Sequence, residues 1–327
     1  MKICIVGAGA VGSHIAARCH IGGASTSVVA RGAQLDAIRQ SGLAVHTPED
    51  ILKAPVSVSD DPAELGPQDV VIVAVKAPAL TSVARTIGPL LTSDTSVVFA
   101  MNGIPWWYFY NHGGAMDDTR LPTIDPGGAV WEAVGPERAI GCVIHAPSQV
   151  VAPGVVRLAQ ANSNLTLGDP DGTLSARTTA IAEILSSGGL PTRTTNAIRD
   201  VIWSKLQSNV ASGLMAILTQ CPVDRIAAKP ACSTAMRVLL SETDKVAQAL
   251  GRTTSLDIGK VMTHMHTLAH KPSILQDLEQ GRSMEIESLF QIILRLAEMV
   301  NVETPTLELM TTLASLRAEA AGLIPAN

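Results

Sequence analysis

A glycine-rich turn near the start of the chain sets the strongest limit on its fold. Residues 2–6 (KICIV) are almost wholly apolar, and residues 7–12 (GAGAVG) follow them directly. Residues 10–21 contain no proline and stop at a Gly-Gly pair, which is typical of a helix. A strand, a GxGxxG turn and a helix in this order predict a parallel βαβ unit that binds a dinucleotide.

Each glycine of this turn has a separate expected role. Gly7 permits the tight turn, Gly9 lets a pyrophosphate approach the backbone, and Gly12 lets the helix pack on the sheet. The phosphates would then lie at a helix N-terminus, where free N–H groups and the helix dipole favour anions. A glycine turn without a ligand is the alternative. The residues predicted to bind the cofactor here are Gly7, Ala8, Gly9, Ala10, Val11 and Gly12.

The end of the second predicted strand indicates which dinucleotide binds. Residues 25–30 end in Val-Val-Ala, and Arg31 follows them. An NAD site usually has Asp or Glu at this point, where it binds the ribose hydroxyls. A guanidinium can instead pair with a 2′-phosphate, which a carboxylate would repel. We therefore expect NADP(H), with an ordinary surface role for Arg31 as the alternative.

Strand and helix signals alternate through the first half of the chain. The apolar, β-branched run at residues 69–75 is typical of a strand buried on both faces. Residues 111–175 are rich in Gly, Pro and Asp, and we expect their short strands to complete the same sheet, partly antiparallel. The other strands predicted are residues 25–30, 56–59, 95–100, 139–145, 154–158, 164–167 and 191–194, with helices at 78–87 and 176–187.

The pattern becomes helical after about residue 197 and stays so to the end. One helix face is marked by apolar residues that step by three and four: Ile286, Leu289, Ile293, Leu296 and Val300. The predicted fold class is therefore α/β, with a Rossmann-type N-terminal domain over residues 1–196. An all-α C-terminal domain over residues 197–327 follows it.

Composition excludes several classes of function. The net charge is −5, the isoelectric point is about 5.9, and the chain has no run of Lys or Arg, so nucleic acid is not an expected partner. No apolar run approaches the ~18 residues of a membrane span. The apolar N-terminus has the features of a signal peptide, but the same residues form the strand and the turn. Five cysteines without a CxxC pair agree with a reducing compartment, so we expect the cytoplasm.

Several short segments further along resemble those of the ketopantoate reductase (2-dehydropantoate 2-reductase) family. They occur in the family's order and extend through most of the chain. The segments are residues 75–77 (VKA), 102–103 (NG), 203–209 (WSKLQSN), 273–277 (SILQD) and 285–287 (EIE). The resemblance implies an NADP-dependent oxidoreductase that reduces ketopantoate, a 2-oxo acid, to pantoate in pantothenate biosynthesis.

The resemblance also implies the catalytic residues. Lys205 is implied to be the general acid, and Glu285 to contact the substrate hydroxyl or to tune the lysine. The chemistry agrees, because hydride reduction of a ketone leaves an alkoxide that needs a proton or a cation. Lys205 and Asn209 are one turn apart on a predicted helix, so both can reach one small substrate. A surface lysine is the alternative for Lys205, and a solvated glutamate for Glu285.

The remaining implied site residues bind rather than react. Asn102, Asn209 and Ser273 are implied to bind the substrate, while Lys76 and Asn102 are implied to lie beside the cofactor. Asn102 also follows the carboxyl end of a predicted strand, where ligands bind in open α/β sheets. The alternatives are a turn role for Asn102 and a helix cap for Ser273.

Two departures from the family pattern bear on the substrate. The family has a second asparagine where this chain has Gly213, and residues 106–110 (WWYFY) are all aromatic. If glycine leaves room and the aromatic run lines the pocket, a bulkier 2-oxo acid is expected. If instead the aromatic run is a packed apolar patch and a water replaces the amide, ketopantoate remains the substrate.

Other functions and partners are constrained less strongly. A non-catalytic NADP(H) sensor is an alternative, but a sensor needs neither Lys205 nor Glu285. His266 and His270 have a spacing that can hold a metal, yet no third ligand accompanies them, so no metal is expected. The expected partner is a small 2-oxo acid, with no membrane partner, and a homodimer is left open.

Overall fold

A computed structural model describes residues 1–324, which form two compact units, Met1–Ile198 and the residues from Arg199 onward. The elements of the first unit are β1 (Lys2–Val6), α1 (Ala10–Ile21), β2 (Ser25–Val29), α2 (Gly32–Ser41), β3 (Leu43–His46), β4 (Ile51–Ala54), β5 (Ser57–Ser59), α3 (Pro62–Leu65), β6 (Val70–Val73), α4 (Leu80–Thr86), β7 (Ser96–Phe99), α5 (Ala129–Val134), β8 (Ala139–His145), β9 (Ser148–Ala152), β10 (Val155–Leu158), β11 (Asn164–Gly168), α6 (Ala176–Ser187) and β12 (Thr192–Thr194). The predicted fold class, α/β followed by all-α, is confirmed.

The first unit is built on an eight-stranded sheet with the order β12-β11-β8-β7-β6-β1-β2-β5. The six strands from β8 to β5 are parallel, whereas β11 is antiparallel to β8 and β12 is parallel to β11. The chain builds outward from β1 in one direction and then from β6 in the other. This reversal creates a switch point between β1 and β6, which is where open α/β sheets bind ligands.

A second, four-stranded sheet in this unit was not predicted. Its order is β4-β3-β10-β9, with β3 parallel to β10 and both edge strands antiparallel to their neighbours. The prediction that residues 154–158 complete the large sheet is therefore wrong. These residues form β10, which pairs with β3 more than a hundred residues earlier in the chain. Short strands brought together over that distance leave no local pattern.

Helix α1 is packed between the two sheets. It contacts β1 and β2 of the large sheet and all four strands of the small one. Its buried residues are therefore spread around the helix rather than along one stripe: Gly12, Ser13, His14, Ile15, Ala16, Ala17 and Cys19. Small side chains dominate this list, which allows backbones to approach closely on both sides.

His14 is a titratable group inside this layer, and it predicts a loss of stability in acid. The side chain is 0% exposed, and Arg18 Nε donates a hydrogen bond to its Nε2 at 3.3 Å. Burial, and secondarily the charge of Arg18, lowers the pKa of His14 from 6.5 to about 4. Because the folded pKa is below the unfolded one, the unfolded state binds the proton more tightly. His14 therefore contributes stability that is present above pH 6.5 and lost as the pH falls to 4.

This loss amounts to about 2–3 kcal/mol of unfolding free energy between pH 7 and pH 4.5. Denaturant unfolding at the two pH values measures this loss. The variant is His14→Gln, and His20→Gln on the same helix is the control. Between pH 7 and pH 4.5 the unfolding free energy of His14→Gln should fall by about 2–3 kcal/mol less than that of wild type. The unfolding free energy of His20→Gln should change with pH as that of wild type does. Equal pH dependence in His14→Gln and wild type would contradict the prediction.

All regular secondary structure in the described residues of the second unit is helical. Its elements are α7 (Ile198–Thr219), α8 (Val223–Ala227), α9 (Pro230–Ala249), α10 (Ile258–Met265), α11 (Ser273–Glu279), α12 (Ile292–Met299) and α13 (Pro305–Ala320). Helix α9 contacts α8, α10, α12 and α13. The carboxylate of Glu242 on α9 accepts hydrogen bonds from the Thr306 and Leu307 N–H groups at the start of α13, at 3.2 and 2.7 Å.

The predicted apolar stripe near the end of the chain is buried in its first four residues and half-buried at Val300. It does not lie on one regular helix, because a π-helical turn, Glu287–Gln291, precedes α12. None of the helices within residues 1–324 combines the length and the apolar character needed to cross a membrane.

Candidate active site

The predicted cofactor segments of the first unit come together at one edge of the large sheet. Strands β2, β1, β6 and β7 are neighbours and parallel, so their carboxyl ends lie side by side. Main-chain hydrogen bonds continue just past these ends. Gly7 N–H donates to Val29 O at 3.1 Å, and Ala74 N–H donates to Val6 O at 2.9 Å. The glycine turn and the residues that follow β2, β6 and β7 therefore share this edge.

Two glycines of the turn are required by the protein itself. Gly7 has φ +108°, and a Cβ there would stand 2.8 Å from Val75 Cγ1 and 2.9 Å from Ala74 O. A Cβ on Gly12 would stand 1.9 Å from Gly7 O. A side chain at either position would push the turn away from β6 or the helix away from the turn.

Gly9 is different, since none of the residues 1–324 demands a glycine there. It occupies the N-cap position of α1 with φ −76°, and a Cβ would meet no atom within 4 Å. The open space lies at the start of a twelve-residue helix whose first N–H groups need partners. This is the geometry expected where a pyrophosphate approaches the backbone.

Three side chains border this edge. Arg31 is exposed at the N-cap position of α2, just beyond the end of β2, and its guanidinium makes no hydrogen bond or ion pair within residues 1–324. Lys76 is half-buried after β6, at the start of the 3₁₀ turn Ala77–Ala79. Asn102 is half-buried shortly after β7. The structure thus brings Arg31, Lys76 and Asn102 to the edge that carries the glycine turn.

The predicted residues of the second unit lie on three separate segments. Lys205 and Asn209 are half-buried and one turn apart on α7. Ser273 is exposed as the first residue of α11, and the N-cap position belongs to Pro272. The helix-cap alternative for Ser273 therefore does not hold. Glu285 is half-buried, immediately before the helical segment that begins at Ile286.

Comparison with known proteins assigns the chain to a family. Residues 3–172 match the family described as "Ketopantoate reductase PanE/ApbA", and residues 197–318 match "Ketopantoate reductase PanE/ApbA C terminal". The chain belongs to the ketopantoate reductase family. A 2-dehydropantoate 2-reductase of Mesorhizobium japonicum is 38% identical over 315 residues, covering 96% of each chain. The protein is accordingly an oxidoreductase of this type, which uses a nicotinamide cofactor.

Solved structures share the fold of this ketopantoate reductase family member. A protein of Ralstonia solanacearum MolK2, provisionally named a ketopantoate reductase, is 36% identical with a TM-score of 0.93, covering 98% of this chain and 99% of that one. A D-mandelate dehydrogenase in complex with NADH and anilino(oxo)acetate is 21% identical with a TM-score of 0.82, covering 99% and 100%. The second likeness concerns the fold alone.

Gly213, where the ketopantoate reductase pattern has its second asparagine, does not open a space. A Cβ on Gly213 would stand 3.1 Å from Phe290 Cζ and 3.4 Å from Ile274 Cγ2. Phe290 is 0% exposed and Ile274 is 4% exposed. The expectation that glycine leaves room for a bulkier substrate is therefore wrong, because a buried ring fills the place. Sequence reasoning missed Phe290 and Ile274, and their only signal was the isolated glycine inside a long apolar helix.

The aromatic run is a packed cluster within the first unit. Trp106, Trp107, Tyr108 and Phe109 are at most 1% exposed. The Trp106 ring packs edge-on against Phe99 and Trp131, with centroid distances of 5.3 and 5.8 Å. These four side chains thus match the packed-patch alternative and not a pocket wall or lid. The histidines at 264, 266 and 270 belong to no cluster of three or more potential metal ligands in the described part of the chain.

Proposed function

We propose that this protein reduces ketopantoate to pantoate with NADPH. The observation that carries the proposal is the 38% identity to a 2-dehydropantoate 2-reductase over 96% of both chains. The structure adds support, because the space beside Gly213 is filled by Phe290 and four of the five side chains of the aromatic run are buried packing. A sensor without catalysis is set aside, since the chain is an oxidoreductase of this family.

The cofactor is proposed to lie along the carboxyl edge of the large sheet. The N–H groups at the start of α1 would receive the pyrophosphate, which the open face of Gly9 allows to approach. Arg31 would pair with the 2′-phosphate, since its guanidinium is exposed and has no partner among residues 1–324. Lys76 and Asn102 would contact the nicotinamide half. Bound NADPH supplies the hydride for the reaction.

The proton is proposed to come from Lys205. As the C2 ketone gains its new C–H bond, its oxygen becomes an alkoxide, and the ammonium of Lys205 donates a proton to it. The neutral amine then regains a proton from water. Asn102, Asn209 and Ser273 would hold the substrate in place, and Glu285 would contact its hydroxyl group.

A substrate panel tests this proposal. Initial rates are measured with ketopantoate and with linear, branched and aryl 2-oxo acids, each with NADPH and with NADH. The aryl acid is included because D-mandelate dehydrogenase shares the fold. Ketopantoate should give the highest kcat/KM, by at least about tenfold, because a pocket that pairs its hydroxyl leaves a polar group unpaired with the other acids. A higher value for any other acid would overturn the assignment of ketopantoate.

A further inference from the structure

The buried ring of Phe290 lies where three segments of the second unit meet. Phe290 belongs to the π-helical turn Glu287–Gln291, and its ring edge faces the bare Cα of Gly213 on α7. Ile274 of α11 lies against the same glycine. A Cβ on Gly213 would crowd the ring, which would have to move by a few tenths of an ångström.

These three segments are the ones that carry the proposed substrate residues of this unit. Gly213 is one turn beyond Asn209 on α7, Phe290 is five residues after Glu285, and Ser273 directly precedes the isoleucine at this contact. We infer that Phe290 is a positioning residue, which fixes the segments of Glu285 and Ser273 against the helix of Lys205; this rests on the proposed function.

Two observations support a positioning role for Phe290, and not a role in lining the substrate pocket or in forming its own helix only. Phe290 is 0% exposed, so its ring acts through its neighbours and not by touching substrate. Gly213 has an ordinary helical backbone, where glycine is less favourable than alanine. The close packing of the Phe290 ring thus explains why residue 213 is a glycine. Misplacing a catalytic group by about 1 Å can cost about 100-fold in rate, so this contact bears on turnover.

A double-mutant cycle tests the inference in the full-length enzyme. Gly213→Ala adds a Cβ at 3.1 Å from the ring and should displace the ring by a few tenths of an ångström, whereas Phe290→Leu should leave the segments loosely held. Each single change should lower kcat with ketopantoate by at least about tenfold. The double variant keeps the total side-chain volume nearly constant and should recover to within about threefold of wild type. The Kd for NADPH should stay within about twofold in all three, because the cofactor segments belong to the other unit.

The control is Gly259→Ala, which adds the same methyl group at an exposed position at the start of α10. It should leave kcat and KM unchanged. The inference is overturned if the single variants melt at lower temperature but retain the kcat of wild type, or if the double variant is as slow as the product of the two single effects. Those results leave the proposed function intact. A wild-type enzyme that reduces no 2-oxo acid in the panel overturns both.

Discussion

Lys205→Ala should reduce kcat by at least about 100-fold, the lower end of what a general acid contributes. Without the ammonium, the alkoxide that forms at C2 must take its proton from water, which no side chain then positions. The variant should fold normally, because Lys205 is only half-buried on α7. It should also keep its affinity for NADPH, since the proposed cofactor residues all belong to the unit Met1–Ile198. Stopped-flow and steady-state rates, with NADPH binding by fluorescence titration, measure these quantities.

Two further variants make this test specific. Lys205→Arg keeps the positive charge, but a guanidinium does not give up its proton, so it should not restore the rate. Lys245→Ala removes an exposed lysine from α9 and should behave as wild type. If Lys205→Ala stays within a few-fold of wild type, another group is the acid. If Lys205→Arg is fully active, Lys205 acts through its charge alone.

Arg31→Asp should reverse the cofactor preference. Wild type is expected to favour NADPH over NADH by about 10- to 100-fold in kcat/KM, because a charge-assisted pair is worth about 1.5–3 kcal/mol. An aspartate at the same N-cap position would repel the 2′-phosphate and accept hydrogen bonds from the ribose hydroxyls of NADH. The ratio of kcat/KM for the two cofactors, measured at fixed ketopantoate, reports the change.

Arg39→Asp provides the matched control, because it makes the same charge change at an exposed position near the other end of α2. It should leave the preference for NADPH largely in place. The wild-type preference should also shrink as salt is added, since Arg31 is exposed and its field is screened. Equal use of NADPH and NADH by wild type would refute the role of Arg31.

The parts of the fold that could be predicted are those whose signals are local. The glycine turn, the buried β6 run and helix α7 each follow from a short stretch of sequence, and α7 by itself places Lys205 and Asn209 one turn apart. The small sheet could not be predicted, because β3 and β10 are short and lie more than a hundred residues apart. The surroundings of Gly213 could not be predicted either, because the residues that contact it are distant in the sequence. A missing side chain in the sequence does not show whether a distant ring, here Phe290, fills the space.

The enclosure of α1 between two sheets has a consequence for the energetics of cofactor binding. A helix covered on both sides cannot tilt or unwind without disturbing both sheets, so its first turn is held in place before any ligand arrives. The N–H groups proposed to receive the pyrophosphate therefore need not be ordered when the cofactor binds. Binding then costs little conformational entropy, so the measured affinity is closer to the intrinsic attraction between these N–H groups and the phosphate.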